Sequence, residues 1–342
     1  MRSALPLLLV PLLLMAILWS SLWWWSATRL EAQFRDWQAR EAAEGREFHF
    51  TDVKVGGFPT HLRLSFSDAR MSNAKGWEWH GPAAMAEAPL WQPRDVWLEF
   101  AGNHRFLPPP TSLSAPLEFA AEVAQGRLWL DRQGRIEGMR LDLQGLAFTG
   151  YFDGGTSARA LEIAWGRALQ EVREARAALG AGDIAFFLKV EELELPTATE
   201  PPLGRNLEEL VAEGTIEDWH HAGSIAEAVP AWADQGGHLQ LDEVQMTWGP
   251  LWLQGDARVT LDEERRPLGA GHARLLGLEG TLDALTQGGM LKEDVGNMAR
   301  LLLLAMSDES RDGQRQIEVP VTAENGVLRL GPLPLLPLPR LF

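Results

Sequence analysis

The sequence predicts an α+β, β-rich protein, in which an N-terminal transmembrane helix precedes long antiparallel β-meanders and a few packed helices. Three observations predict this class. An uncharged stretch runs from Ser3 to Trp25, about the 20 residues that a helix needs to cross a bilayer. Most of the remaining chain alternates apolar and polar residues, as half-buried strands do. A few amphipathic segments with helical spacing interrupt the strands. The meanders are expected to form a curved sheet with a possible trough.

The uncharged stretch predicts an anchor over residues 3–28 and its orientation. Arg2 precedes the stretch, and Trp23, Trp24 and Trp25 stand at its far edge. Basic residues stay in the cytoplasm and Trp prefers the headgroup interface. We therefore expect a single-pass inner-membrane protein with its C-terminal body in the periplasm. A cleaved signal peptide is the alternative, but it needs a shorter apolar region followed by small residues. Both interpretations place the body in the same compartment.

Residues 29–46 are charged and place Leu30, Phe34 and Trp37 on one helical stripe, which predicts a stalk helix. Two β-rich halves follow, 47–200 and 201–342, or one continuous domain. In the first half, Leu62, Leu64 and Phe66 alternate with polar residues, and a polar turn at 131–134 separates two alternating runs, which is a hairpin signal.

Four segments predict helices within this body. Within residues 157–179, apolar residues recur at intervals of three and four positions. Glycines follow this segment, as at a helix end. Shorter helices are expected at 206–212 and at 224–233, where Ser224 is a plausible N-cap. A fourth covers 282–307 with a break near Gly288 and Gly289. Strands are expected at 184–195, 239–246, 251–261, 268–278 and 317–321, and Asn325-Gly326 predicts a two-residue hairpin turn.

Composition excludes several functions. The chain carries 47 acidic and 31 basic residues, for a formal net charge of −16. Such a chain has no electrostatic attraction for nucleic acid. It contains no cysteine, so disulfides, thiolate nucleophiles and Cys-ligated metals are excluded.

The sequence offers no catalytic constellation. No G-x-S-x-G nucleophile elbow occurs, and Gly180-Ala181-Gly182 fits a helix end better than a phosphate loop. His220 and His221 are adjacent, which is not the spacing of a zinc site. We therefore predict no cofactor, no metal and no enzymatic activity.

The remaining candidate is a surface. If one face of the sheet is left uncovered, it forms an apolar trough suited to acyl chains or to a partner protein. The alternative is that the helices at 158–179 and 282–307 cover this face as ordinary core. The candidate trough residues are Phe48, Phe50, Leu62, Leu64, Phe66, Leu128, Leu130, Leu141, Leu143, Leu239, Leu241, Leu251 and Leu253.

Short structural motifs recur along nearly the whole chain. They are Gly57-Phe58-Pro59 with Leu62-Arg63-Leu64, Trp91-Gln92-Pro93, Gly236-Gly237 with Leu239 and Leu241, Trp248-Gly249-Pro250, Leu261-Asp262 with Arg266-Pro267-Leu268-Gly269, and Asn325-Gly326-Val327 with Leu330-Gly331-Pro332. Together they resemble domain of unknown function 2125, a family of proteobacterial envelope proteins. The resemblance implies an envelope location and a β-rich body, and it transfers no catalytic residue. More distantly, the chain is similar to AsmA-type envelope proteins, which are associated with lipid movement and outer-membrane upkeep.

The sequence thus predicts a non-enzymatic envelope role, in which a sheet trough binds lipid or an envelope partner. The alternative is a scaffold or assembly factor with a closed core and no lipid ligand.

Overall fold

The computed structural model describes residues 5–43, 45–74, 76–100, 102–109, 116–149, 155–166, 182–196, 201–220, 225–289, 296–297, 300, 308–309, 315–331 and 333–341. These residues form a β-rich, antiparallel fold with three helices: α1 (Leu5–Ala43), α2 (Ile225–Asp234) and α3 (Leu278–Gln287).

The strands, numbered in chain order, are short in the first part of the chain and mostly of 10 or more residues from β11 onward. They are β1 (Arg46–His49), β2 (Asp52–Gly56), β3 (His61–Ser67), β4 (Ala69–Asn73), β5 (Glu78–Gly81), β6 (Ala84–Pro89), β7 (Asp95–Glu99), β8 (Gly102–Leu107), β9 (Leu117–Ala121), β10 (Val123–Leu130), β11 (Ile136–Thr149), β12 (Thr156–Gly166), β13 (Ile184–Glu194), β14 (Asn206–Ile216), β15 (Leu239–Trp248), β16 (Leu251–Leu261), β17 (Pro267–Leu276), β18 (Asp308–Glu309), β19 (Arg315–Glu324), β20 (Val327–Leu330) and β21 (Leu333–Pro337).

The predicted anchor and stalk form one helix. α1 runs for 39 residues without interruption, and the stalk ends at Ala43, three residues earlier than expected, because Arg46 already pairs with Asn73 in β1–β4. Within the residues that the structure describes, no helix meets both the length and the hydropathy of a membrane span.

The chain divides into two compact units, residues 1–137 with 141–151 and residues 138–140 with 152–342. In unit 1, consecutive strands that are separated by only one or two residues belong to different ladders. One ladder has the order β1–β4–β5–β8–β9–β11, and the other has the order β2–β3–β6–β7–β10. Asp68, which has a φ of 50°, marks one of the bends where the chain passes from one ladder to the other.

One face of the second ladder in unit 1 is apolar. Leu64 lies opposite Val55 on β2 and Ala86 on β6, and Leu128 lies opposite Val96. Directly opposite residues in an antiparallel pair share a face. The other face carries charged pairs, such as Arg63 with Glu87 at 2.9 Å.

In unit 2, the large strands follow one another in the order of the chain. β12 to β17 form consecutive antiparallel pairs, then β17 pairs with β19, β19 with β20, and β20 with β21. The core lies where α3 crosses this sheet. Leu282 of α3 packs with Leu275 on β17 and with Ile317 and Val319 on β19, and all four side chains are buried.

One predicted helix is wrong over its described part, and a second is wrong throughout. Residues 156–166 form β12, although 157–179 was expected to be helical, and 167–179 lie outside the described residues. Residues 206–212 belong to β14. Both segments contain good helix formers, but each strand pairs with its neighbours along most of its length, and such tertiary pairing overrides a weak intrinsic propensity.

The other two helices are present with different bounds. α2 confirms the helix expected at 224–233, while the proposed cap Ser224 lies outside the described residues. α3 begins four residues before the expected helix at 282–307 and ends at the predicted break, where Gly289 has a φ of 72°. Most of the remaining predicted helix, from 290 to 307, lies outside the described residues.

The turns follow their local chemistry. Asn325 and Gly326 have φ values of 52° and 70° and connect the paired residues Glu324 and Val327, as expected for a two-residue hairpin. The predicted turn after β10 closes through an Asp131 N–H bond to the Arg135 carbonyl at 2.9 Å, and Asp262 and Arg266 form the same bond at the same distance.

Candidate functional site

The candidate site is one face of the unit 2 sheet. Strand register places Trp165, Phe186, Gly214, Leu241 and Ala257 in one row across five strands. Alternate residues along each strand share that side. We call this surface the apolar face. On β12 to β16 it comprises Leu161, Ile163, Trp165, Ile184, Phe186, Leu188, Val190, Leu210, Ala212, Gly214, Ile216, Leu239, Leu241, Val244, Met246, Trp248, Leu251, Leu253, Gly255, Ala257 and Val259.

A β-bulge keeps the face apolar across β15. Leu241 pairs with Ala257, and the next recorded pair is Val244 with Gly255. The extra residue on β15 keeps Leu241 and Val244 on the same side, although an uninterrupted strand would place them on opposite faces.

α3 covers part of this face. Leu251 and Leu253 pack against the buried cluster that contains Leu282 of α3. On β12 to β15 the large apolar side chains of the face remain partly exposed, including Phe186, Leu188 and Leu241. α3 therefore packs on the β16 to β19 part of the face, and the large apolar side chains on β12 to β15 have the same intermediate exposure as Leu251 and Leu253.

The opposite face of the same strands is polar. The Lys189 ammonium lies 2.6 Å from Glu191 and 3.3 Å from Glu209, and Arg159 lies 2.7 Å from Glu191. The hydrogen bond from Lys189 lowers the pKa of Glu191, and the same bond raises the pKa of Lys189. These ion pairs occupy one end of this face, whereas Ala164, Ala185 and Thr215, which lie on the same side near its other end, are buried.

Glycines occur where the apolar face approaches neighbouring backbone. A β-carbon on Gly214 would lie 2.0 Å from the Gln240 carbonyl oxygen, and one on Gly271 of β17 would lie 2.0 Å from that of Asp256. Side chains at these positions would collide with the adjacent strand, so the strands can approach closely only with glycine there.

The predicted trough residues separate into a unit 1 group and a unit 2 group. In unit 2, Leu239 and Leu241 on β15 and Leu251 and Leu253 on β16 share the apolar face. Of these, Leu251 and Leu253 pack against the α3 core.

In unit 1, α1 covers the aromatic members of the predicted trough. The Trp37 ring lies 4.5 Å from Phe48, and the Phe34 ring lies 5.5 Å from Phe50 and 6.3 Å from Phe66. These three phenylalanines therefore pack against the chain's own helix.

The aliphatic members in unit 1 lie on three strands. Leu62 and Leu64 share one face of β3, and Leu64 is buried. Leu128 and Leu130 share a side of β10, and Leu141 and Leu143 share a side of β11, where Leu143 is buried.

Sequence reasoning missed much of the apolar face. Leu161, Ile163 and Trp165 were assigned to a helix, as was Leu210. The missed signal was the alternation of Leu161, Ile163 and Trp165 with Ala160, Glu162 and Ala164, which has the period of a strand.

The described residues do not assemble a metal centre. None of their side chains form a group of three or more His, Asp and Glu residues placed to hold a metal ion. His220 Nδ1 lies 2.9 Å from the carbonyl of Asp218, while His221 lies outside the described residues. A pocket of about 290 Å³ in unit 2 is lined by polar residues such as Gln254, Asp256 and His272.

His104 in unit 1 is the buried titratable group that stands out. It is 2% exposed, and its ring stacks 4.4 Å from that of Phe119. Its Nε2–H donates to the Phe100 carbonyl at 2.8 Å, and Nδ1 has no partner among the described residues. Burial lowers the pKa of His104. The ring is thus held neutral within an aromatic stack.

Fold and site define this chain as an antiparallel β-meander protein with a helical N-terminus and a sheet that is apolar on one face and charged on the other. Residues 23–339 match the family described as an uncharacterised protein conserved in bacteria, DUF2125, and the chain belongs to that family. The resemblance drawn from the sequence motifs is thereby confirmed. No curated protein matches the chain.

Proposed function

We propose that this protein is a membrane-anchored envelope protein whose apolar face on β12 to β15 binds lipid acyl chains without catalysing a reaction. The observation that carries the proposal is the partly exposed row of large apolar side chains on four adjacent strands, with Phe186, Leu188 and Leu241 at its centre. An exposed apolar surface costs free energy in water, and acyl chains would remove that cost.

The size of this surface supports the proposal. Four strands with three spacings of about 4.8 Å span about 14 Å, and strands of 10 or 11 residues extend about 35 Å. Their product, on the order of 500 Å², is the plan area of this part of the sheet, of which only the exposed fraction can contact a ligand; exposed apolar patches of a few hundred Å² on a monomer are often functional. Each methylene buried there would contribute about 0.8 kcal/mol, so even part of an acyl chain would bind measurably.

The membrane anchor is the second part of the proposal. Leu12, Leu14, Met15 and Leu18 of α1 are between 55% and 72% exposed. The described exposed side chains begin at Leu12, and the uncharged sequence extends back to Ser3. Such a surface is suited to hydrocarbon, and Arg2 before it favours a cytoplasmic N-terminus with the body outside the inner membrane.

Two adjacent phenylalanines provide a direct test. Phe186 lies on the apolar face opposite Gly214, whereas Phe187 lies on the polar face opposite Glu213. Each would be replaced in the full chain by the photoreactive analogue p-benzoylphenylalanine, and cells would be irradiated before the protein is purified and analysed by mass spectrometry. We expect phospholipid adducts at position 186 and at most trace adducts at 187. Equal adducts at both positions, or none at 186, would refute binding by this face.

The alternative is a scaffold or assembly factor with a closed core. The packing of Leu251 and Leu253 against the α3 cluster favours it, because a chain that covers one part of the face with its own helix could cover the rest in the same way. A scaffold predicts no co-purified lipid and a protein adduct at Phe186 or elsewhere in the same irradiation experiment.

A further inference from the structure

We propose that the β2–β3 loop and the β6–β7 turn insert Phe58 and Trp91 into the headgroup layer of a bilayer and so seat unit 1 on the membrane surface. This inference rests on the proposed anchor and goes beyond it. The anchor alone would allow unit 1 to stand clear of the membrane, whereas the inferred contact fixes which edge of its sheet faces the lipid.

The β2–β3 loop is hydrogen-bonded to α1 near the end of the uncharged stretch. The indole N–H of Trp19 donates to the Pro59 carbonyl at 2.7 Å, and that of Trp23 donates to the His61 carbonyl at 2.7 Å. The ring of Phe58 meets that of Trp23 edge-on with centroids 5.4 Å apart. These contacts join the loop to the last turns of the uncharged stretch.

The positions of Trp19 and Trp23 along α1 correspond to the membrane interface. Trp19 and Trp23 are separated by about 6 Å along the helix axis, and they follow directly after the exposed side chains of Leu14 and Leu18. If those leucines lie in hydrocarbon, then the indoles lie at its edge, which is where Trp is enriched. The loop bonded to them must lie at the same depth.

The loop itself has the composition of a membrane-contacting segment. Residues 56–60 carry no charge, and Phe58 is 58% exposed despite its contact with Trp23. The cost of leaving a phenylalanine exposed at the tip of such a loop is removed when it enters the apolar part of the interface.

The β6–β7 turn lies beside this loop. The N–H of Leu90 donates to the Thr60 carbonyl at 2.9 Å, and the ring of Trp91 lies 6.0 Å from that of His61. Trp91 is 60% exposed. Two separate segments thus present an exposed aromatic side chain at the same edge of unit 1, and Trp24 and Trp25, which follow Trp23 on α1, are also exposed.

The occupant that fits is lipid, because the aromatic edge is bonded to α1 at Trp19 and Trp23, directly after the exposed apolar side chains of the same helix. Charge contributes little: Arg29 stacks over the Trp25 ring at 5.3 Å, residues 56–60 carry no charge, and the β6–β7 turn carries the single cation Arg94. Insertion is therefore expected into a zwitterionic bilayer and does not require anionic lipid.

The absence of cysteine from the chain allows single nitroxide labels to be placed without background. Full-length protein with Phe58→Cys, Trp91→Cys, Leu14→Cys or His49→Cys would be labelled and placed in phosphatidylcholine nanodiscs. Power-saturation electron paramagnetic resonance then compares collisions with oxygen, which concentrates in lipid, and with a water-soluble nickel chelate. His49 is the control in unit 1, since β1 packs near Trp37, about 21 Å along α1 from Trp23.

We expect oxygen to outweigh the nickel chelate at positions 58 and 91, and the reverse at position 49. Labels at 58 and 91 that are as accessible to nickel as the label at 49, while position 14 is in lipid, would overturn the seating and leave the anchor intact. Nickel access at position 14 would overturn the anchor and the seating together. Spin–spin broadening at 58 or 91 would identify a second copy as the occupant and would also overturn the seating.

Discussion

The replacement Gly271→Ala tests the close approach of strands beneath the apolar face. The new β-carbon would lie 2.0 Å from the Asp256 carbonyl oxygen and 2.7 Å and 2.8 Å from the Cα and Cβ atoms of Ala257. Overpacking of this kind costs about 1–3 kcal/mol. Two of the three atoms belong to backbone, and Gly271 pairs with both Ala257 and Val321. Relief therefore requires strands to move, so we expect a cost of about 2–3 kcal/mol, in the upper part of that range.

For a unit of roughly 190 residues, such a loss lowers the Tm by about 4–12 °C. The measurement is thermal unfolding of the full chain in detergent, followed by circular dichroism. Gly56→Ala is the matched control, since a β-carbon there has no neighbour within 4 Å. It should leave the Tm unchanged or raise it, because alanine restricts the unfolded chain. A Gly271→Ala variant as stable as the parent would refute the steric argument.

Two further variants address the buried groups of each unit. The pKa of His104 is lowered by burial, so its contribution to stability is present above the unfolded value of about 6.5 and is lost as the pH falls through the lower folded value. In denaturant titrations from about pH 7 to pH 5, His104→Phe should flatten the loss of stability on acidification; equal slopes for His104→Phe and the parent would contradict this. In the unit 2 core, Ile317 is 2% exposed, and Ile317→Ala should cost about 2–5 kcal/mol against about 0.5–1.5 for Ile317→Val. Similar denaturation midpoints for the two variants would show that α3 does not pack as described.

Turns and isolated strands were predictable because their causes are local. Asn325 and Gly326 tolerate positive φ, and the structure uses it at both positions. The alternation around Leu62, Leu64 and Phe66 specified β3 almost to the residue. In such segments the side-chain period alone distinguishes a strand from a helix.

β12 and β14 were not predictable in this way, because their conformation depends on partners distant in sequence. Leu161 and Trp165 are four residues apart, a spacing that places two residues on one face of a helix and also on one face of a strand. Over a short segment this spacing does not distinguish the two structures. Leu210 and Ala212 favour a helix by propensity, yet they pair with Val190 and Leu188 on one side and with Met246 and Val244 on the other.

The candidate site shows the same division between local and distant causes. Alternation predicted that Leu239 and Leu241 share a face, and their register with Val259 and Ala257 places them on one side of the sheet. The bulge that keeps Val244 on that side depends on a register shift against β16, which nothing in the local sequence indicated.

The element that covers an apolar face was the least predictable feature of all. Phe34 and Trp37 were recognised as one stripe of a helix, but only the structure shows that the stripe packs on Phe48, Phe50 and Phe66. Apolar and polar residues alternate along the strands of both units. This alternation indicates that one face is shielded from water, but it does not indicate which group shields it. In unit 1 that group includes the chain's own helix. On β12 to β15 the described side chains remain partly exposed, and the identity of what covers them decides between a lipid-binding protein and a scaffold.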